Sequence, residues 1–328
     1  MDSYKVENGI LVEYPMNTYV VEVPDGVRGI SSGLFDDSCI SYLTLPDTVE
    51  DLGVQTFCWC DRLNVIEFSS RIRRLEHNVF NTIAAQRIDL PQNLEYIGNG
   101  AFQGSASLLF IRFPEQLRFI SENAFSQCIS LRYVTFQDQL QQIGEQAFKG
   151  AGLEYLSLPR SLLNIGRFAF AGCENLRHVT LREGLLHIGE GAFRGCALLK
   201  RVRVPDSVVS IGKKAFWDCD MLETAVLPEH LRNIALDEIF PAHTKIVFRQ
   251  SAESERQCEA CSANGLLKCL DGYQKMDRAA LEEAAAMGCP GAHMWLYKMD
   301  KTPWKRMHLL RAAALGNEEA VEELINTL

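Results

Sequence analysis

Cys258-Glu259-Ala260-Cys261, with Cys269, Cys289 and His293 downstream, could between them hold a metal ion. Zinc takes four nitrogen or sulfur ligands in a tetrahedral array. A single Cys-x-x-Cys is half of such a site, and on a helix its two thiols simply share a face. Ordinary packing is the preferred reading, structural zinc and a redox pair are the alternatives, and no cofactor is expected. The seven histidines are dispersed along the chain. No serine or cysteine stands in a recognisable spacing with a histidine and a carboxylate, and no glycine-rich phosphate loop is present. The chain is therefore not read as an enzyme.

The remaining chemistry is recognition. Short alternating segments such as Leu153-Glu154-Tyr155-Leu156-Ser157-Leu158-Pro159 read as strands whose aliphatic residues point inward, leaving the residues before and between them on an outer surface. Taken in order, those outer positions bring Phe110, Tyr133, Tyr155 and His178 into one continuous exposed stripe. Arg87 and Arg112 flank it on one side, Arg201 and Arg203 on the other. Aromatics beside arginines are the composition of interaction hot spots. Arginine without lysine suits carboxylate or phosphate groups, which its planar fork binds bidentately. The alternative is that these aromatics are good strand formers that merely stack on one another.

A repeat must position that face. Phenylalanine recurs at Phe35, Phe57, Phe80, Phe102, Phe125, Phe148, Phe170, Phe193, Phe216 and Phe240, at intervals of 22 to 24 residues. Five residues earlier stands an aliphatic residue, usually followed by a small one, as in Ile97-Gly98, Ile143-Gly144, Ile165-Gly166 and Ile188-Gly189; a second aliphatic column lies three residues before that. Each unit then reads as a strand, a turn, a second extended piece and a tight helical turn carrying the phenylalanine. A single unit cannot bury its apolar face, so neighbours must stack. Proline at positions such as Pro114, Pro159 and Pro205 closes the strand, having no N–H to continue the ladder. Cys60, Cys128, Cys173, Cys196 and Cys219 fall three residues after the phenylalanine and Cys39 four after; Ala151, Ser105 and Ile83 share the column. That column reads as asking for a small buried side chain rather than a thiol as such.

The pattern Ile-Gly-x-x-Ala-Phe-x-Gly-Cys-x-x-Leu-x-x-Val-x-Leu, clearest from Ile188 to Val204, resembles the BspA-type leucine-rich repeat over about residues 19–250. The resemblance implies a non-catalytic interaction module, of a kind often displayed on bacterial or protist surfaces. The expected fold is a leucine-rich repeat solenoid with a parallel β strand face and short helical turns, an α/β horseshoe or arc, followed by a small all-α C-terminal region. The expected division is an N-terminal cap at 1–18, the solenoid at 19–250 and an α-helical domain at 251–328. In that last part Ala286-Met287-Gly288 with Ala292 and Leu296 recurs as Ala314-Leu315-Gly316 with Ala320 and Leu324, a spacing similar to Sel-type and tetratricopeptide-like hairpins.

Composition bounds the partner. Lysine plus arginine number 33 against 42 aspartates and glutamates, a net charge of -9, which argues against nucleic acid and against anionic membrane surfaces. No apolar stretch reaches the length of a spanning helix, so no membrane insertion is expected. The expected partner is a protein or peptide of acidic character, bound on the strand face. One alternative is an adhesin-like binder of glycans or host proteins. Another is a scaffold that docks through the helical tail at Trp295 and Trp304. The oligomeric state stays open. Eleven cysteines with no export signal read as reduced thiols, hence a cytoplasmic protein by default; the cell surface or secretion is the alternative if a leader has been removed.

Overall fold

One inward aliphatic residue between two outward ones makes a three-residue strand once per repeat, as at Tyr42–Thr44, Tyr133–Thr135, Tyr155–Ser157 and Arg201–Arg203. The structure, a computed structural model, describes residues 4–15 and 18–249. Over the repeats the chain winds as a β-solenoid of about ten turns, one for each phenylalanine. The helical region expected at 251–328, with Cys258, Cys261, Cys269, Cys289, His293, Trp295 and Trp304, lies outside the described residues.

Each turn has three sides. The three-residue strands line the first, pairing in parallel with the turns above and below, for example Tyr133 beside Phe110 and Thr135 beside Arg112. The second side carries a two-residue strand ending in the aliphatic residue of each Ile-Gly pair. Seven of these, from Arg74–Leu75 to Ser210–Ile211, form one parallel ladder in register. Glycine after the isoleucine is a matter of space here, because a Cβ on Gly166 would stand 2.5 Å from the carbonyl carbon of Gly144. At the N-terminal end a hairpin of Lys5–Glu7 and Ile10–Glu13 lays its second strand parallel to Gly29–Ile30.

The third side corrects the expected helical turn. Two residues before and two after each phenylalanine from Phe35 to Phe216 the backbone is left-handed, as at Gln146 (φ 54°) and Gly150 (φ 68°) around Phe148, and at Phe168 (φ 53°) and Gly172 (φ 70°) around Phe170. Such dihedrals cannot continue a right-handed helix. Alternate N–H groups are instead passed to the next turn: Gln146, Phe148 and Gly150 donate to the carbonyls of Arg167, Ala169 and Ala171 at 2.7–2.8 Å. Among the described residues the only helical segments are 3-10 turns at Glu229–Leu231 and Leu236–Glu238. The α/β horseshoe therefore gives way to a β-solenoid held by backbone bonds on all three sides.

The phenylalanines form the spine. All ten are buried, and successive rings lie parallel at centroid spacings of 5.0–5.6 Å, from Phe35 on Phe57 to Phe216 on Phe240. That spacing matches the distance between paired strands, so one backbone repeat sets both. Tyr14 closes the N-terminal end of the stack, tilted on Phe35 at 4.3 Å.

Candidate functional site

The strands of the first side carry every residue expected at the binding face, Arg87 in the two-residue strand Arg87–Ile88 and the others in three-residue strands, but not as one stripe. Their ladder is interrupted between Glu67 and Arg87, between Thr135 and Tyr155, and between Thr180 and Arg201. Phe110 stands in register between Arg87 and Tyr133. It is only 8% exposed, so it belongs to the core and corrects the expectation of an exposed ring. Tyr133 and Tyr155 are half-buried, while Arg87, Arg112, His178 and Arg201 are exposed and Arg203 is intermediate. Tyr155 and His178 are brought together, ring on ring at 5.5 Å and 8°. Stacking across the ladder accounts for that pair without excluding its outer edge from contact.

Charge divides the face. Toward the N-terminal end Glu67 accepts a hydrogen bond from the Tyr42 hydroxyl and Asp89 pairs with Arg87 at 3.0 Å, so Arg87 is already neutralised. Toward the C-terminal end Arg112, Arg201 and Arg203 have no carboxylate partner among the described residues. A further cation joins them: Arg182, just past the strand His178–Thr180, donates from Nη2 to the Ser157 hydroxyl at 3.3 Å and so lays its guanidinium on the face. Sequence reasoning missed Arg182 because it follows the strand instead of lying in an outward column. The nearby Glu183 is held elsewhere, accepting from the backbone N–H groups of Asp206 and Ser207 at 2.9 and 3.0 Å.

The second side was also left unread. The residue two before each Ile-Gly isoleucine points outward, and Leu163, Leu186 and Val209 form a row there with exposures of 40, 36 and 64%. Adjacent to the isoleucine on the same side, Phe119 is 38% exposed and Tyr96 lies under the guanidinium of Arg74 at 4.1 Å. Period and position relative to the isoleucine would have found both columns.

The cysteine column is more specific than a small buried side chain. The thiols of Cys60, Cys128, Cys173, Cys196 and Cys219 each donate to the carbonyl of the phenylalanine 25 or 26 residues earlier, at 3.1–3.4 Å, and the Ser105 hydroxyl does the same to Phe80. The position favours a small donor, with Ala151 and Ile83 as exceptions. Burial pushes the Cys128 and Cys173 thiols up to about 12 and Cys60 to about 11, which makes them poor nucleophiles. Among the described residues no group of three histidines, cysteines or carboxylates is placed to hold a metal, and no helix is long and apolar enough to cross a membrane.

Several solved structures are similar to this chain. The pneumococcal vaccine antigen PcpA is 21% identical over 69% of this chain and 61% of its own, with a TM-score of 0.47. A leucine rich cell surface protein from Faecalibacterium prausnitzii is 18% identical over 71% of this chain and 73% of its own, with a TM-score of 0.42. The T. pallidum leucine rich repeat protein is 23% identical over 67% of this chain and 87% of its own, with a TM-score of 0.44. The chain thus spans about three fifths of the length of the pneumococcal antigen. No curated protein matches it.

Six copies of the BspA type leucine rich repeat region match at residues 28–154 and 141–246. That match to a repeat family of surface and secreted proteins overturns the cytoplasmic expectation. The physical basis of that expectation was weak in any case: thiols buried and held protonated resist oxidation in any compartment, so they do not report a reducing one. With the repeat model spanning more than half of its length, this chain belongs to the family of BspA type leucine rich repeat proteins.

Proposed function

We propose that the solenoid is a non-catalytic binding module that holds a protein or peptide against its three-residue strand face, outside the cell or at its surface. The observation that carries this reading is the C-terminal half of that face, where the stacked Tyr155–His178 pair adjoins Arg201 and Arg203. Aromatic rings beside uncompensated guanidinium groups are the composition of interface hot spots. The core needs none of them, since the buried positions of the same strands, such as Leu156 and Val202, already close it. Family membership supports the placement and the absence of chemistry, because the fold itself brings no catalytic centre.

Photo-crosslinking tests the reading. A benzophenone amino acid placed at Tyr155 is expected to trap a defined partner from culture medium or host extract, while the same group at Gln142, on the second side, traps none. Adducts from Gln142 alone would move the interface off the strand face.

A further inference from the structure

Several arginines elsewhere on the solenoid are matched with carboxylates, Arg71 with Glu50, Arg132 with Glu154, Arg167 with Glu190 and Arg194 with Asp218, at 2.5–3.1 Å, while others such as Arg118 and Arg160 have no ion pair among the described residues. What sets the strand face apart is that its unpaired arginines gather on one surface. Arg112, Arg182, Arg201 and Arg203 have no carboxylate partner among the described residues, and the outward strand positions from Phe110 to Arg203 include no aspartate or glutamate. In a chain with a net charge of -9 this is a local inversion of the field. Arg201 and Arg203 stand on the same face of one strand, two residues or roughly 6.5 Å apart. Arg182 reaches back to Ser157 in the strand one turn earlier, so along the face its charge lies between Arg112 and the Arg201–Arg203 pair.

Like charges gathered without counterions repel, and the carboxylate best placed to relieve them, Glu183, is committed to the backbone of the next turn. A ligand bearing carboxylates would supply the missing charge. Guanidinium groups flanking a carboxylate can each bind it through two N–H donors. The acidic N-terminal half of the face, with Glu22 and Glu67, would repel the same ligand and so fix where along the solenoid it lies.

We infer that the partner of the strand face presents an extended acidic peptide segment, whose glutamate or aspartate side chains seat against Arg182, Arg201 and Arg203, with Arg112 at the far end. This inference rests on the strand-face reading above and adds the chemistry of the partner to it. A peptide is favoured over a sulfated glycan because aromatic rings, Tyr155 and His178, adjoin the cations and offer a contact for the apolar side chains between the carboxylates.

The test is the binding of fluorescent poly-L-glutamate to the full chain by anisotropy, with heparin and poly-L-lysine in parallel. Wild type is expected to bind poly-L-glutamate, more weakly as salt rises, and not to bind poly-L-lysine at this face. An Arg182→Gln, Arg201→Gln, Arg203→Gln triple variant with unchanged melting temperature is expected to raise Kd at least tenfold. An Arg71→Gln, Arg167→Gln double variant, removing the same kind of charge elsewhere, is expected to change it less than twofold. Equal loss in both variants, or no binding of poly-L-glutamate by wild type, overturns the inference. Triple-variant-sensitive binding of heparin without binding of poly-L-glutamate overturns it too, in favour of a sulfated glycan. The crosslinking at Tyr155 reads the strand face independently, so an adduct there with no poly-L-glutamate binding sinks the acidic chemistry and leaves the face standing.

Discussion

Cys173 donates its thiol proton to the Phe148 carbonyl oxygen across 3.2 Å, joining one turn of the solenoid to the turn before it. The same carbonyl also accepts the backbone N–H of Ala151 at 3.0 Å, so both of its lone pairs are used. The cysteine column is thus a set of rungs between turns.

Cys173→Ala should therefore cost more than Cys173→Ser. Alanine leaves a small void and removes the donor, a loss of about 1–2 kcal/mol, whereas serine keeps a donor as Ser105 does toward Phe80. Urea denaturation of the two variants against wild type measures the order; serine costing as much as alanine would mean that the hydrogen bond contributes nothing.

Alkaline pH should loosen the fold through the same residues. Burial raises the folded thiols of Cys128 and Cys173 from 9.0 to about 12. Below pH 9 both folded and unfolded chains keep the proton, and the full stabilisation is present. Above it the unfolded chain releases protons that the folded chain retains, so stability falls as pH rises toward 12. Wild type should lose stability faster between about pH 8.5 and 10.5 than a Cys128→Ser, Cys173→Ser variant, whose hydroxyls do not titrate there. Parallel slopes in urea denaturation would remove the thiols as the cause.

Gly166→Ala should be more damaging than Gly172→Ala. A Cβ at Gly166 meets the Gly144 backbone at 2.5 Å, where something must move, and a loss of roughly 2 kcal/mol or more is expected. At Gly172 the added carbon meets nothing closer than 3.8 Å, and only the left-handed φ of 70° is penalised, by about 1 kcal/mol. Melting temperatures in the reverse order would show that the turns can spread apart to admit a side chain.

Phe110→Ala and Tyr155→Ala separate packing from contact on the strand face. Phe110 is buried, and its truncation should lower stability by about 3 kcal/mol. Tyr155 is half-buried and stacked only on His178 among the described rings, so its truncation should cost about 1 kcal/mol while reducing crosslinking from neighbouring positions. A large loss of stability at Tyr155 would return it to the core.

The repeat was legible because burial repeats with the chain. Phe148 and Phe170 must occupy the same place in successive turns, and the aliphatic columns at Ile143 and Ile165 follow for the same reason. The turns were misread as helical because the left-handed residues flanking the phenylalanine include Gln146, Phe168 and Lys214, types that carry no signal for positive φ. Neighbouring turns impose that conformation through hydrogen bonds that no single repeat displays. The strand face was legible as columns and not as a surface. Alternation placed Phe110 outward, but burial depends on its large register neighbours, Arg87 and Tyr133. Arg182 entered from a loop, by a reach across turns that spacing along the chain does not encode.

Parallel rings running from Phe35 to Phe240 make every internal turn interchangeable with the one beside it. A turn duplicated between Arg112 and Arg201 would slot into the ring column without disturbing it, and would carry those two cations apart by one strand spacing, roughly 4.8 Å. The distance between charged groups on the face is in that sense counted in whole rungs, so copy number alone can match the surface to a longer or shorter ligand.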